Sequence, residues 1–321
     1  MMEFNCVQFL QNKTILVTGA TGFLAKVFVE KTLRVQPNVK KLYLVVRASD
    51  SEAAMKRLRA EVFEKDLFKV LRENIGEENL NTLLSEKVVP VAGDISTDCF
   101  GVKDSNLREH SVIVAYGKGV LKCFLVDVNS VCDMIPVDMV ANAMITATAT
   151  HAGGSGVHMV YHVGSSHQNP VTFGEIHEIS VRYFTKSPLR SRNGSLIAVS
   201  KVRLISTMAL FSLYMTLRFK LPLQLLKLID IVYPWRSGDK YGDKNHKINM
   251  VMRLVELYEP YVLFKGIFDD RNTKSLCANQ KEDETKTSKG SMFDFDPKGI
   301  NWGDYLTSVH IPGLITHVLK K

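Results

Sequence analysis

Apolar residues fall along this chain in two rhythms, short unbroken runs and helical spacings, and the two alternate through the first hundred residues. Thr14-Ile-Leu-Val17 is a short β-branched run followed at once by glycines, which predicts a buried strand. Phe23 to Leu33 predicts a helix, with Phe23, Val27 and Val29/Glu30 marking its faces and Lys26 and Glu30 one turn apart. Leu42-Tyr-Leu-Val-Val46 is a second buried strand. Ser49-Asp-Ser-Glu52 then reads as a capping box, opening a helix that runs on through Leu58, Val62, Leu67 and Leu71. Val88-Val-Pro-Val-Ala92 is a third strand. Near-continuous apolar strands alternating with helices predict an α/β fold, a parallel sheet with helices on both faces.

After Gly101 the alternation weakens. Val112-Ile-Val-Ala115 suggests another short strand. Val137 to Ala149 is a helix, with Asp133 and Pro136 at its entrance and Gly153-Gly154 after it. His158-Met-Val-Tyr-His-Val163 suggests a further strand, and from Phe173 the signals are mostly helical. Ala278 to Ser291 is almost wholly polar and predicts an exposed loop, whereas Phe293 to Lys321 returns to apolar spacing and should dock. No internal repeat is visible. The length suggests two domains, the second mainly helical.

Composition changes this picture little: 45% hydrophobic and 23% charged residues exclude a disordered tail or a disulfide scaffold. Five scattered cysteines, with no CxxC pair, fit reduced thiols facing a cytosol and offer no metal-ligand spacing. The first ten residues lack the basic and apolar regions of a targeting signal, and the last four carry no prenylation motif. The charge is uneven. Of the net +8, residues 1–110 hold +1, while 182–253 carry 14 basic against 3 acidic residues. That window suits an anionic partner or a solvated basic face. It contains no recognisable nucleic-acid motif, so no nucleic-acid partner is expected.

Thr18-Gly-Ala-Thr-Gly-Phe-Leu-Ala25 follows a strand and opens a helix, the context in which a glycine motif binds a dinucleotide. Gly19 permits a tight turn, Gly22 lets the backbone approach a pyrophosphate, and Ala25 stands where a third glycine often does. Thr18, Thr21, Phe23 and Leu24 complete the loop. No Gly-Lys-Ser/Thr ending follows, which disfavours a nucleoside triphosphate. A glycine-rich turn without a ligand is the bland alternative. At the end of the second strand, where an NAD site places an acid, stands Arg47, 25 residues past Gly22. A guanidinium suits a 2′-phosphate, which favours NADPH, unless Arg47 merely ends a strand in water. Gly93-Asp-Ile95 ends the third strand. Asp94, with Ile95, is placed to meet the adenine, or Asp94 simply starts a turn.

Thr18 to Lys26, Tyr43-Leu-Val-Val-Arg47 and Gly93-Asp-Ile95 resemble the N-terminal part of the extended short-chain dehydrogenase/reductases, and more narrowly the plant alcohol-forming fatty acyl-CoA reductases. Tyr116-Gly-Lys-Gly119, Asp133 to Asn142, Val163-Gly-Ser-Ser166 and Trp302-Gly-Asp-Tyr305 are similar to later blocks of that family, in its order. The resemblance implies a shortened Rossmann-type NADP-binding domain over 1–168 and the family's C-terminal domain over 169–321, with NADPH as cofactor and a long-chain acyl-CoA as substrate, reduced through an aldehyde to a primary alcohol. It also implies a Tyr-x-x-x-Lys pair for the acid chemistry, and a place at the cytosolic face of the endoplasmic reticulum or in the cytoplasm.

The chain departs from this pattern between His110 and Ser111, where the family's fourth and fifth strands and its Tyr-x-x-x-Lys helix are missing. A literal Tyr-x-x-x-Lys survives at Tyr261 to Lys265, beside Pro260, and matches a different block of the family. Tyr43 to Arg47 and Tyr214 to Arg218 place arginine last, which does not replace lysine. No catalytic residue is therefore assigned, and an inactive relative that binds NADP(H), acyl chains or a full-length paralogue stands beside the reductase reading.

Leu204 to Leu217 is an uncharged run of 14 residues between Arg203 and Arg218, too short to span a bilayer. Its basic flanks suit a membrane-surface segment within 196–230, the wall of an acyl tunnel, or a buried core helix.

Overall fold

The computed structural model describes residues 6–93, 112–119, 121–152, 158–191, 193–225, 240–284 and 292–319. In chain order they form α1 (Cys6–Leu10), β1 (Thr14–Val17), α2 (Phe23–Val35), β2 (Lys41–Val46), α3 (Ser51–Leu58), α4 (Lys69–Ile75), α5 (Glu77–Lys87) and β3 (Val88–Ala92). Then follow α6 (Val112–Gly117), β4 (Cys123–Leu125), α7 (Val137–Thr150), α8 (Phe173–Lys186), β5 (Arg203–Ile205), α9 (Met208–Met215), α10 (Lys240–Val262) and α11 (Arg271–Glu284). The fold is α/β, with a small parallel sheet early in the chain and a mainly helical C-terminal region. The chain divides into two compact units that interleave in sequence. One takes Met1–Lys103, Ile135–Gly164 and Asp269–Pro297, and the other takes Asp104–Met134, Ser165–Phe268 and Lys298–Lys321.

In the first unit β2 lies between β1 and β3, all parallel, with Leu16 opposite Tyr43 and Tyr43 opposite Val89. Parallel neighbours need crossover connections, which α2 and α3–α5 supply. Leu42, Leu44 and Val46 of β2 are buried against Leu58 of α3, Leu80 of α5 and Phe63, whose ring meets Phe68 edge-on at 5.3 Å. Ile145 and Ala149 of α7 pack with Phe28 and Val35 of α2.

Several expectations are corrected in this unit. β1 is an edge strand rather than a buried one. Among the described residues it pairs with β2 alone, and Leu16 is 65% exposed. The cap of α3 is Asp50 rather than Ser49: its Oδ1 accepts from Ala53 N–H at 2.8 Å, and Ser49 donates to its other oxygen. Buried Glu30 also pairs with Arg34, one turn further along α2, at 2.7 Å. Residues 158–163 form no strand: the carbonyls of Val160 and His162 accept from Asn272 and Thr273 of α11, at 2.9 and 2.8 Å. α11 also claims residues 278–284 of the expected polar loop; 285–291, Gly153-Gly154 and the junction at 110/111 lie outside the described residues.

In the second unit β4 and β5 pair in parallel, with Phe124 opposite Leu204, a two-stranded sheet that the apolar pattern did not announce. Val112 to Ala115 is the start of α6, not a strand. A four-residue apolar run fits either state, and burial of Val114 and Tyr116 among helices favours the one that satisfies its own backbone. Gly117 ends this helix against Phe184 of α8, where a Cβ would come within 2.7 Å of the ring. Leu204 to Leu217 splits between β5 and α9. Phe211 and Met215 are fully buried, while Leu210, Leu213 and Leu217 are exposed, so the core-helix alternative holds for one face only. The tail docks as expected: Trp302, Leu306 and Ile311 are buried, and Trp302 Nε1 donates to the Asn169 carbonyl at 3.0 Å.

α8 opens with a full capping box. Thr172 Oγ1 accepts from Glu175 N–H at 3.2 Å, while the Glu175 carboxylate accepts from Thr172 N–H at 2.7 Å. Thr172→Ala is expected to lower stability by about 1 kcal/mol, read as a shifted urea midpoint at unchanged slope.

Candidate functional site

The loop between β1 and α2 is built by local requirements. Gly19 sits at φ 61°, a left-handed conformation that glycine adopts without penalty. Gly22 N–H then donates to the Gly19 carbonyl at 2.7 Å, closing the turn. A Cβ on Gly22 would lie 2.9 Å from that same carbonyl, so no larger residue fits without moving the loop. Ala20 is buried beneath the turn, in the core below the sheet.

Gly22 is the N-cap of α2 and has no side chain to satisfy the first N–H groups of the helix. No acidic residue stands in that first turn to occupy the positive end of the helix dipole. The N-terminus of a 13-residue helix therefore faces an open groove of about 710 Å³. Thr18, Gly19, Gly22, Phe23 and Leu24 line it together with Leu16, and its far wall includes Met144 and Thr148 of α7. Thr21 is half-buried in the loop, and Phe23 is 71% exposed. These features suit a bound pyrophosphate: free N–H donors, a glycine that admits close approach and an open cradle over Gly19.

Arg47 follows β2 directly, and its side chain is exposed. Its carbonyl accepts from the Arg57 guanidinium at 2.9 Å, and Gly93 N–H donates to the Val46 carbonyl at 3.0 Å. The parallel register thus brings the C-terminal ends of all three strands side by side, with Thr18, Arg47 and Gly93 following them. That edge is where open α/β sheets bind ligands. Asp94 and Ile95 lie outside the described residues.

Tyr261 and Lys265 belong to the other unit. Tyr261 is 71% exposed in the last turn of α10, and α10 ends at Val262, before Lys265. Lys265 Nζ lies 3.3 Å from Asp127 Oδ2. The Asn129 backbone N–H, and then Lys265, hold the Asp127 carboxyl below its ordinary range. The lysine thus serves a surface ion pair. Asp133, at the entrance of α7, accepts from the N–H groups of Ser165 and Ser166 at 2.8 and 3.2 Å. Only the fold could reveal that role, because 32 residues separate the partners.

A family model of the NAD-binding type, described as male sterility protein, matches residues 17–112, and a second with the same description matches 218–321. A NAD(P)-binding domain is thus present, and it contains the glycine loop and Arg47. Probable fatty acyl-CoA reductase 5 of Arabidopsis thaliana is 55% identical, and fatty acyl-CoA reductase 8 of the same plant is 51% identical, each over all of both chains. The alcohol-forming fatty acyl-CoA reductase of Simmondsia chinensis is 31% identical over 98% of this chain and 99% of its own. The first alignment runs over 496 positions where this chain has 321 residues, so more than a third of those positions face gaps inside this chain. Identity of this degree, from end to end, outweighs the internal shortening: the chain belongs to the plant fatty acyl-CoA reductase family.

Proposed function

We propose that this chain is a shortened NADPH-dependent fatty acyl-CoA reductase, directed to long-chain acyl-CoA and its reduction to a primary fatty alcohol in lipid metabolism. End-to-end identity of 55% to a fatty acyl-CoA reductase carries this reading. NADPH supplies the hydride. Thr18, Gly19, Thr21, Gly22, Phe23 and Leu24 hold the pyrophosphate at the N-terminus of α2, and Arg47 takes the 2′-phosphate. The chemistry also needs a proton donor at the developing oxyanion, and neither Tyr261 nor Lys265 is arranged to give one. The second reading is therefore a catalytically inactive relative that keeps the adenine-side cofactor contacts and binds acyl chains or a full-length paralogue. It is favoured by the aligned positions this chain lacks. Alcohol production from NADPH and long-chain acyl-CoA by the purified chain, followed by gas chromatography, separates the two.

The second unit supports contact with a membrane surface at the cytosolic face of the endoplasmic reticulum. Helical structure runs from 208 to 225, and Leu210, Leu213, Leu217, Leu221 and Leu225 recur along it at intervals of three or four residues, all exposed. Arg203, Arg218 and Lys220 flank this stripe. Among the described residues no helix is long and apolar enough to cross a membrane. An apolar stripe with basic flanks instead suits the interface of an anionic bilayer. Flotation with vesicles containing phosphatidylserine is expected to recover the chain at low salt, less of it at high salt and little of the Leu213→Glu/Leu217→Glu variant. Recovery equal for parent and variant would remove the stripe as the contact.

The open edge of β1 suits pairing with another chain, a second copy or a full-length relative. Its Leu16 is exposed, and edge strands carry unpaired backbone groups.

A further inference from the structure

Between α8 and β5 the second unit turns back on itself in a short hairpin. Arg190 and Leu196 pair across it in antiparallel fashion, and Ile197 N–H donates to the Leu189 carbonyl at 2.8 Å. Ser191 N–H donates to the Ser195 carbonyl at 2.8 Å, and Gly194 N–H closes the tip on the Ser191 carbonyl at 2.9 Å. Gly194 sits at φ 83°, and Asn193, Gly194 and Ser195 are all exposed. Asn193 is the only asparagine in the chain that is followed by glycine.

The Asn193 side chain is held by its oxygen. Oδ1 accepts from the Ser191 hydroxyl, from the Ser195 hydroxyl at 2.8 Å and from the Ser195 backbone N–H at 3.3 Å. A backbone N–H only donates, so the oxygen rather than the amide nitrogen must face these groups. The three donors stand where negative charge gathers when Cγ is attacked. The Gly194 nitrogen, next in the chain, closes a five-membered ring on Cγ when it attacks. Gly194 has no side chain to shield that nitrogen, and beyond its chain neighbours no atom lies within 4 Å of where a Cβ would stand. Arg190 Nη1 donates to the Gly194 carbonyl at 3.1 Å, and the hairpin lies in the window with 14 basic against 3 acidic residues. Positive surroundings favour loss of the Gly194 amide proton.

We propose that Asn193 is a site of self-modification, at which the Gly194 nitrogen displaces the Asn193 side-chain amide and an aspartyl or isoaspartyl residue results. Hydroxide takes the Gly194 amide proton, the nitrogen bonds to Cγ, and the charge collects on Oδ1 among its donors. Collapse breaks the Cγ–Nδ2 bond, and the nitrogen leaves as ammonia after taking a proton from water, which restores the hydroxide. One water then opens the cyclic imide. Attack at Cγ gives aspartate, and attack at the backbone carbonyl carbon gives isoaspartate. The net change is ammonia lost and water gained, with no oxidation or reduction. The product sets a carboxylate beside Arg190 in the basic window, and the isoaspartyl form also lengthens the backbone at the tip of the hairpin. The site uses neither NADPH nor acyl-CoA, so it stands whether or not this chain turns over.

The test holds the full chain in neutral and in mildly alkaline buffer, digests it with a lysine-specific protease and weighs the peptides. Peptide 187–201 should gain about 1 Da, faster in the alkaline buffer, and should accept a methyl group from S-adenosylmethionine through an isoaspartyl methyltransferase. Peptides holding the other asparagines should lag by at least about 10-fold, because a side chain on the next residue shields its nitrogen. Asn193→Gln, whose attack would close a six-membered ring, should show no gain. Ser191→Ala/Ser195→Ala removes two exposed-turn donors and should slow conversion about 3- to 10-fold at an unchanged melting temperature. In urea above the unfolding midpoint, where nothing arrays the donors, parent and double variant should convert alike. No gain in peptide 187–201, an equal gain at the other asparagines, equal rates for the folded parent and folded double variant, or a difference between them that persists in urea would each overturn the proposal.

Discussion

Purified chain given NADPH and hexadecanoyl-CoA is expected to form hexadecanol at least about 10²- to 10⁴-fold more slowly than a full-length relative, the usual cost of losing a positioned proton donor. The reason lies in what the sheet lacks. Among the described residues β1 is an edge strand, with Leu16 exposed along a groove of about 710 Å³. In a doubly wound sheet the cofactor crosses the strand ends at the point where the strand order reverses, next to the first strand. Among the described residues this chain holds one side of that crevice, the ends of β1, β2 and β3. On the proposed reading these grip the pyrophosphate and adenine end, while no described strand supplies the wall that would aim a nicotinamide at a thioester carbon. Gas chromatography of the extracted alcohol is the measurement. Turnover matching a full-length relative would return a catalytic role to this chain. Loss of that turnover in Tyr261→Phe and Lys265→Ala would assign the role to the exposed pair.

Charge reversal at the end of β2 gives the second large effect. Arg47→Glu is expected to weaken NADPH binding by about 10- to 150-fold, the loss of a charge-assisted hydrogen bond worth roughly 1.5–3 kcal/mol. NADH, which has no 2′-phosphate, should change little or bind better, since an acid at that position suits a ribose 2′-hydroxyl. Arg47 is exposed and its backbone contacts do not involve the guanidinium, so the substitution should leave the fold intact. Calorimetric titration of both cofactors into both proteins reads the effect. Equal NADPH and NADH affinities in the parent chain would remove Arg47 as the selector.

The glycine loop was legible because its constraints are local. A turn with φ 61° at one position and a 2.7 Å hydrogen bond three residues later needs glycine at both ends, whatever surrounds it. β2 was legible for a related reason: six residues, nearly all apolar, flanked by parallel neighbours, leave little alternative to a central strand. Val112 to Ala115 and His158 to Val163 have the same composition as strands and are not strands. A strand is completed by a neighbour, and an apolar run carries no information about whether one is there. The caps misled by one residue at α3 because Ser49 and Asp50 both offer an oxygen, and only the backbone path selects Asp50.

Sequence by itself determined the family, the α/β class and the glycine loop between β1 and α2, since each rests on residues adjacent in the chain. Tertiary structure alone decided the rest. It set Arg47 and Gly93 beside Thr18 through strand register, tied Lys265 to Asp127, left β1 without a second neighbour among the described residues, and gathered Tyr116 with Phe184 and His177. Each of those depends on contacts between residues far apart in sequence, and the burial and pairing energies that select them are properties of the packed chain rather than of any segment.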